Sequence, residues 1–252
     1  MWGALTSVVI LGIHAMALVD VVPASLHTLT HAAIFRSRAP ASSLLRHRGI
    51  DWLDIAGFAT FLLCAVACLG LSSTFHTLSC HSRSVARRCN ALDYLGIVFM
   101  IVGSFLPALH YGFFCRPHWQ LFYGIGITAL GAMAAWVVLS PHYSTPEFRP
   151  YRTAIFLALG LSAVVPVAHG TLIQGYSSLR DTMGLDFLIT SGSLYVVGAL
   201  LYALRIPERF APGTFDYVGA SHQIFHVCIL LAAFSHYISL RKAFDFSQSL
   251  TC

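Results

Sequence analysis

LDIAGFATFLLCAVACLGLSSTFH, residues 53–76, carries a single formal charge, Asp54, and closes on Ser72, Ser73, Thr74 and His76. A helix needs about 20 apolar residues to cross the roughly 30 Å of hydrocarbon in a bilayer, and this stretch is long enough. Neither a helical nor a strand period dominates it, as expected of an element apolar all round. Working outward, similar runs lie at about 2–22, 53–75, 92–114, 119–139, 154–173, 185–204 and 218–240. The breaks between them are polar: Arg83, Arg87 and Arg88 after the second run, Arg116-Pro117 after the third, Ser140 to Pro150 after the fourth, Arg180-Asp181 after the fifth and Arg205 to Arg209 after the sixth. The sequence therefore predicts an all-α membrane protein, one seven-transmembrane helix bundle over residues 1–252, integral and multi-pass, in the plasma membrane or an endomembrane.

Composition agrees. Of 252 residues, 57% are hydrophobic and 10% charged, against about 25% charged in soluble domains; the mean hydropathy is +0.72. The net charge of +5 does not indicate a nucleic-acid partner, because the basic residues are scattered through connectors and form no basic face interleaved with aromatics. Seven cysteines, an odd number without a C-x-x-C pair, define no disulfide framework, and Cys64 and Cys68 read as small hydrophobes inside a span. A local Cys80–Cys89 bridge would need an oxidising compartment, which the orientation below argues against. The first run starts at Met1 without a basic leader or cleavage site and is read as a helix that stays.

Orientation follows from arginines. The connectors after spans two, four and six hold seven Arg, while the other side holds eight Lys or Arg, four of them in the long connector 23–52. Leaving out that connector and the C-terminal Arg241 and Lys242, the short loops read seven against two. The positive-inside rule then places the N-terminus in the cytoplasm and the C-terminus outside or in a lumen.

In such a bundle the end of span two, the start of span three and the start of span seven share one face. Ser72 and His76, Asp93, and His222 with His226 thus arrive at one depth from three distant segments. Ionisable groups in spans are expensive and usually face a partner in the bundle interior. His222 and His226, four residues apart, lie on one helix face where both imidazoles can bind one ion, and His76 can supply a third nitrogen. Three imidazoles with a fourth position open suit catalytic Zn2+. Asp93 then reads as a carboxylate that orients a ligand or takes a proton from water, and Ser72 as a donor to water or substrate.

Each residue alone has a plainer reading. His27 and His31 repeat the spacing in the first connector, on the opposite side, and are read as a decoy. His14, His110, His118, His142, His169 and His236 read as interfacial or capping groups, and His81 lies past its helix end. Asp93 can cap its helix, and Ser72 can bond its own backbone. Only convergence favours the site.

Ser72-x3-His76, Asp93-Tyr94-Leu95-Gly96-Ile97, the run Arg205-Ile206-Pro207-Glu208-Arg209-Phe210-x-Pro212-Gly213-x-Phe215-Asp216, and Ser221-His222-Gln223-Ile224-Phe225-His226 resemble the progestin and adipoQ receptor family. Gly103-Ser104-Phe105-x-Pro107 and Val164-Val165-Pro166 extend the likeness, which runs from about Ser72 to about Tyr237. Within the family it points to adiponectin receptors and their haemolysin III-related relatives, and to a fungal-type member. The resemblance implies seven helices with a cytoplasmic N-terminus and zinc near the cytoplasmic side, held by His76, His222 and His226 with Asp93 and Ser72 beside it. It also implies reception of an extracellular ligand, roles in lipid and zinc metabolism, and ceramidase-like hydrolysis. Members usually carry a cytoplasmic Glu-x-x-Asn type segment before helix one, so a chain starting Met1-Trp2-Gly3 is expected to be short there.

Two functions stand open. In one, zinc activates water against the amide of a ceramide-like membrane lipid. In the other, zinc is structural in a receptor for an extracellular protein ligand. Metal or proton transport is weaker, since Asp186 is the only intramembrane carboxylate in the later spans.

Overall fold

The computed structural model describes residues 50–249. The first predicted span, most of the connector after it with the His27/His31 pair, and the N-terminal orientation lie outside the described residues. The elements are α1 (Trp52–Leu78), α2 (Arg83–Gly112), α3 (Pro117–Leu139), two 3-10 turns (Pro141–Ser144 and Pro146–Phe148), α4 (Arg149–Leu161), α5 (Val164–Gln174), α6 (Tyr176–Met183), α7 (Leu185–Leu204) and α8 (Ser221–Ser247). Six segments are long and apolar enough to cross a membrane: α1, α2, α3, residues 150–174, α7 and α8. Their outward faces are apolar too, with Leu63, Trp136 and Leu172 between 68% and 86% exposed, a pattern suited to lipid and costly in water.

Local chemistry sets where these helices begin. Asp51 caps α1 in a reciprocal box with Asp54, whose Oδ2 accepts the Asp51 N–H at 2.9 Å. Ser82 caps α2 by accepting the Val85 N–H at 3.3 Å. The helix therefore starts nine residues before the predicted span at 92, because Arg83, Arg87 and Arg88 fall inside it rather than in a loop. Asp93 is thus more than two turns into α2 and is not its cap. The predicted span 154–173 is a single crossing made of two helices. Pro166 has no N–H to return to Ser162, and the joint closes with the shorter Ala163 N–H to Gly160 O bond, 3.2 Å. The connector before span six is helical over Tyr176–Met183, and the last span runs on past 240 to Ser247.

Small residues bring the site-bearing helices together. A Cβ on Gly96 would stand 2.9 Å from the Cys68 Cα, and one on Gly198 would stand 2.8 Å from the Cys228 Cβ. These two contacts weld α1 to α2 and α7 to α8 at backbone range. Pro107, buried inside α2, interrupts its ladder, and nearby Ser104 O meets His236 Nε2 of α8 at 3.1 Å. Buried Phe61, Ala65, Cys68, Met100, Ala233 and Leu240 pack the interior between α1, α2 and α8. Cys64, Cys68, Cys80, Cys89 and Cys228 are free thiols, whereas Cys115, just past α2, is disulfide-bonded. Cys80 and Cys89 are thus not bridged, and the bond at Cys115 is one that the odd cysteine count gave no means of locating.

Candidate metal centre

α1 delivers His76 in its last turn, and α8 delivers His222 and His226 in its first two turns. Their ligand-type atoms all lie within 4.8 Å of one another, with His76 exposed and the other two half-buried. The His222 and His226 rings stack at 4.9 Å, and His76 meets them at 5.0 and 5.5 Å between centroids. A cavity of about 210 Å³ opens among them, lined also by Ala220 and Gln223. It is the only grouping of three or more metal-type side chains among the described residues. Tetrahedral zinc with nitrogens at about 2.0–2.1 Å sets its ligands about 3.4 Å apart, within reach of modest side-chain rotation. The donor set therefore fits a zinc ion.

Ser72 and Asp93 stand beside this cluster rather than in it. Ser72, one turn before His76, is 5% exposed. Its Oγ is buried and faces the half-buried Asp93 carboxylate, which accepts its hydrogen bond. The hydroxyl of α1 and the carboxylate of α2 are thus held against each other next to the imidazoles. Neither residue lines the cavity itself.

Among the described residues the other histidines lie outside this cluster. His169 meets Tyr123 Oη at 2.9 Å, and His236 is buried against Ser104 O and the Phe61 ring.

Several supporting residues escaped the sequence reading. Arg152, 5% exposed, donates to the carbonyls of Tyr143 and Thr145 and lies over the Tyr94 ring at 4.9 Å, beside Asp93. Gln223 Oε1 accepts the Gly219 N–H at 2.6 Å, and its Nε2 donates to Tyr217 O at 3.0 Å. Glu208 accepts the Ser221 hydroxyl at 2.7 Å. Burial pushes the Glu208 carboxyl up, but its own backbone N–H, Ser221 and the Arg205 charge together hold it below the usual carboxylate range. One signal was available: Ala220, where α8 starts, offers no capping side chain, so an acceptor from elsewhere was to be sought.

The haemolysin-III related family model matches residues 8–237. The chain belongs to this family. Relatives include the adiponectin receptor protein of Drosophila melanogaster, 46% identical over 180 residues, 71% of this chain and 40% of that one. The heptahelical transmembrane protein ADIPOR2 of Oryza sativa is 44% identical over 191 residues, covering 75% and 82%. A fungal relative, the ADIPOR-like receptor IZH2 of Saccharomyces cerevisiae, is 37% identical over 194 residues, covering 77% and 61%. The match thus spans less than half of the fly protein's length. With six apolar helices among the described residues, this haemolysin-III related chain is an integral multi-pass membrane protein.

Proposed function

We propose that the chain is a receptor-type membrane protein that holds zinc with His76, His222 and His226 and hydrolyses a lipid amide of ceramide type, in the service of lipid and metal homeostasis. The observation that carries this reading is the convergence of three imidazoles from α1 and α8 beside the Ser72 hydroxyl and the Asp93 carboxylate that bonds it. Zinc in such a donor set supplies a Lewis acid that polarises a carbonyl and makes water nucleophilic near neutral pH.

The chain's own groups account for the rest. Ser72 Oγ donates to the substrate carbonyl oxygen. Asp93 takes the proton of the attacking water and returns it to the leaving amine as the C–N bond breaks. One water is consumed, and a fatty acid and an amine leave. Arg152, through Tyr94, steadies the segment that carries Asp93. The site faces the cytosol in this reading, supported by the arginine bias and by the disulfide at Cys115 on the opposite face, since disulfides persist in oxidising compartments.

A second reading keeps the zinc without the hydrolysis. His76 and the α8 pair lie on different helices, so an ion there would tie α1 to α8 whatever else it did, and two relatives are named receptors. An extracellular ligand would then act on a braced bundle. Purified protein tests both: we expect about one zinc per chain, fatty acid released from ceramide, and loss of release in Asp93→Asn with zinc retained. Zinc without release above background selects the structural reading; absence of zinc removes both.

A further inference from the structure

The segment Arg205 to Asp216 plays no part in the chemistry above, yet it folds back tightly on α8. α7 ends with Arg205 in the left-handed region, φ 56, and the Ile206 N–H returns to Leu201 O at 3.1 Å. The Arg209 N–H then reaches Arg205 O at 2.7 Å and the Phe210 N–H reaches Pro207 O at 2.9 Å. This compact turn brings Glu208 to the first residue of α8.

α8 needs such a partner. The first N–H groups of any helix lack intrahelical acceptors and favour a negative charge, and Ala220 provides no side-chain cap. The Glu208 carboxylate stands there instead, 2.7 Å from the hydroxyl of Ser221, which is itself 3% exposed. On the other side of His222, Gln223 bonds the Gly219 N–H and Tyr217 O. The Tyr202 ring at the end of α7 meets the His222 ring edge-on at 5.0 Å. Both sequence neighbours of His222, and its ring, are therefore held from outside α8.

We propose that Glu208 is a positioning residue, an anion carried by the α7–α8 loop that caps α8 at Ser221 and thereby sets where His222 presents its imidazole. The proposal rests on reading the three histidines as metal ligands. Groups that orient ligands in this way change metal affinity by about 10–100-fold.

The test uses the full chain in lipid nanodiscs, with Glu208→Ala, the near-isosteric Glu208→Gln and Ser221→Ala. Without metal, amide hydrogen exchange at residues 221–224 is expected to quicken about 10-fold in Glu208→Ala and less in Glu208→Gln, with residues 235–239 unchanged. Faster exchange along the whole helix would mean general destabilisation and would overturn the proposal, as would no change. With Co2+ titrated against a chelator, Glu208→Ala is expected to bind about 10-fold or more weakly than wild type. Affinity within twofold of wild type would show that the cap does not reach His222, and overturns it. If wild type takes up no Co2+, the metal reading fails, and the exchange result alone decides whether Glu208 fixes the start of α8.

Discussion

At the end of the bundle where α1 begins and α2 finishes, the acidic side chains are answered by the protein itself. Asp54, 1% exposed, accepts from Tyr111 Oη at 3.0 Å and from the Asp51 N–H. Asp186 accepts from Tyr176 at 2.8 Å and from Arg180 at 2.7 Å. At the opposite end, where α1 finishes and α2 and α8 begin, three imidazoles gather round a cavity, with the Ser72 hydroxyl and the Asp93 carboxylate bonded to each other beside them. Polar groups at the first end hold helices together. At the second end three imidazoles from two helices are grouped on a cavity.

Variants at the two ends should therefore behave as opposites. The largest effect is expected from His226→Ala, which removes one of three donors and should bring retained zinc down from about one per chain to background by elemental analysis. Tyr111→Phe should keep its zinc and instead lose about 1.5–3 kcal/mol of stability, because it takes one hydrogen bond from a buried carboxylate; denaturant unfolding in detergent measures this. A Tyr111→Phe protein that lost metal would erase the distinction.

Ser72→Ala sharpens the contrast further. Losing only its bond to Asp93, it should give up about 0.5–1.5 kcal/mol of stability, while amide hydrolysis falls at least 10-fold. The smallest effect concerns Tyr176, whose hydroxyl donates to Asp186 and is thereby held above the ordinary phenol range. A raised folded value means that the bond contributes fully below the unfolded phenol pKa and fades as the pH climbs through the folded one. Ultraviolet titration should show late ionisation, and Asp186→Asn should return it toward normal.

The sequence made the spans legible because an apolar run of membrane length has few other uses. It made the imidazoles legible because an i, i+4 pair and a third histidine fell on one face by counting helices. It did not show that α2 begins at Arg83, ahead of the apolar run at 92, since three arginines resemble a loop in a hydropathy reading yet lie in the first two turns of the helix. Glu208 and Arg152 were missed for a different reason. Each acts across a fold in the chain, on Ser221 and on Tyr94, and no local pattern announces a partner 13 or 58 residues away.

The placement of His76 and His222 on α1 and α8 has a consequence in time. They are 146 residues apart in the chain, and a ribosome adding about 5–20 residues per second takes roughly 7–30 s to pass from one to the other. Throughout that interval the nascent protein owns one imidazole of the three and nothing for it to close upon. If the three histidines hold zinc as proposed, the ion can be captured only after α8 has entered the bilayer, so occupancy would mark a finished molecule and distinguish it from one abandoned midway.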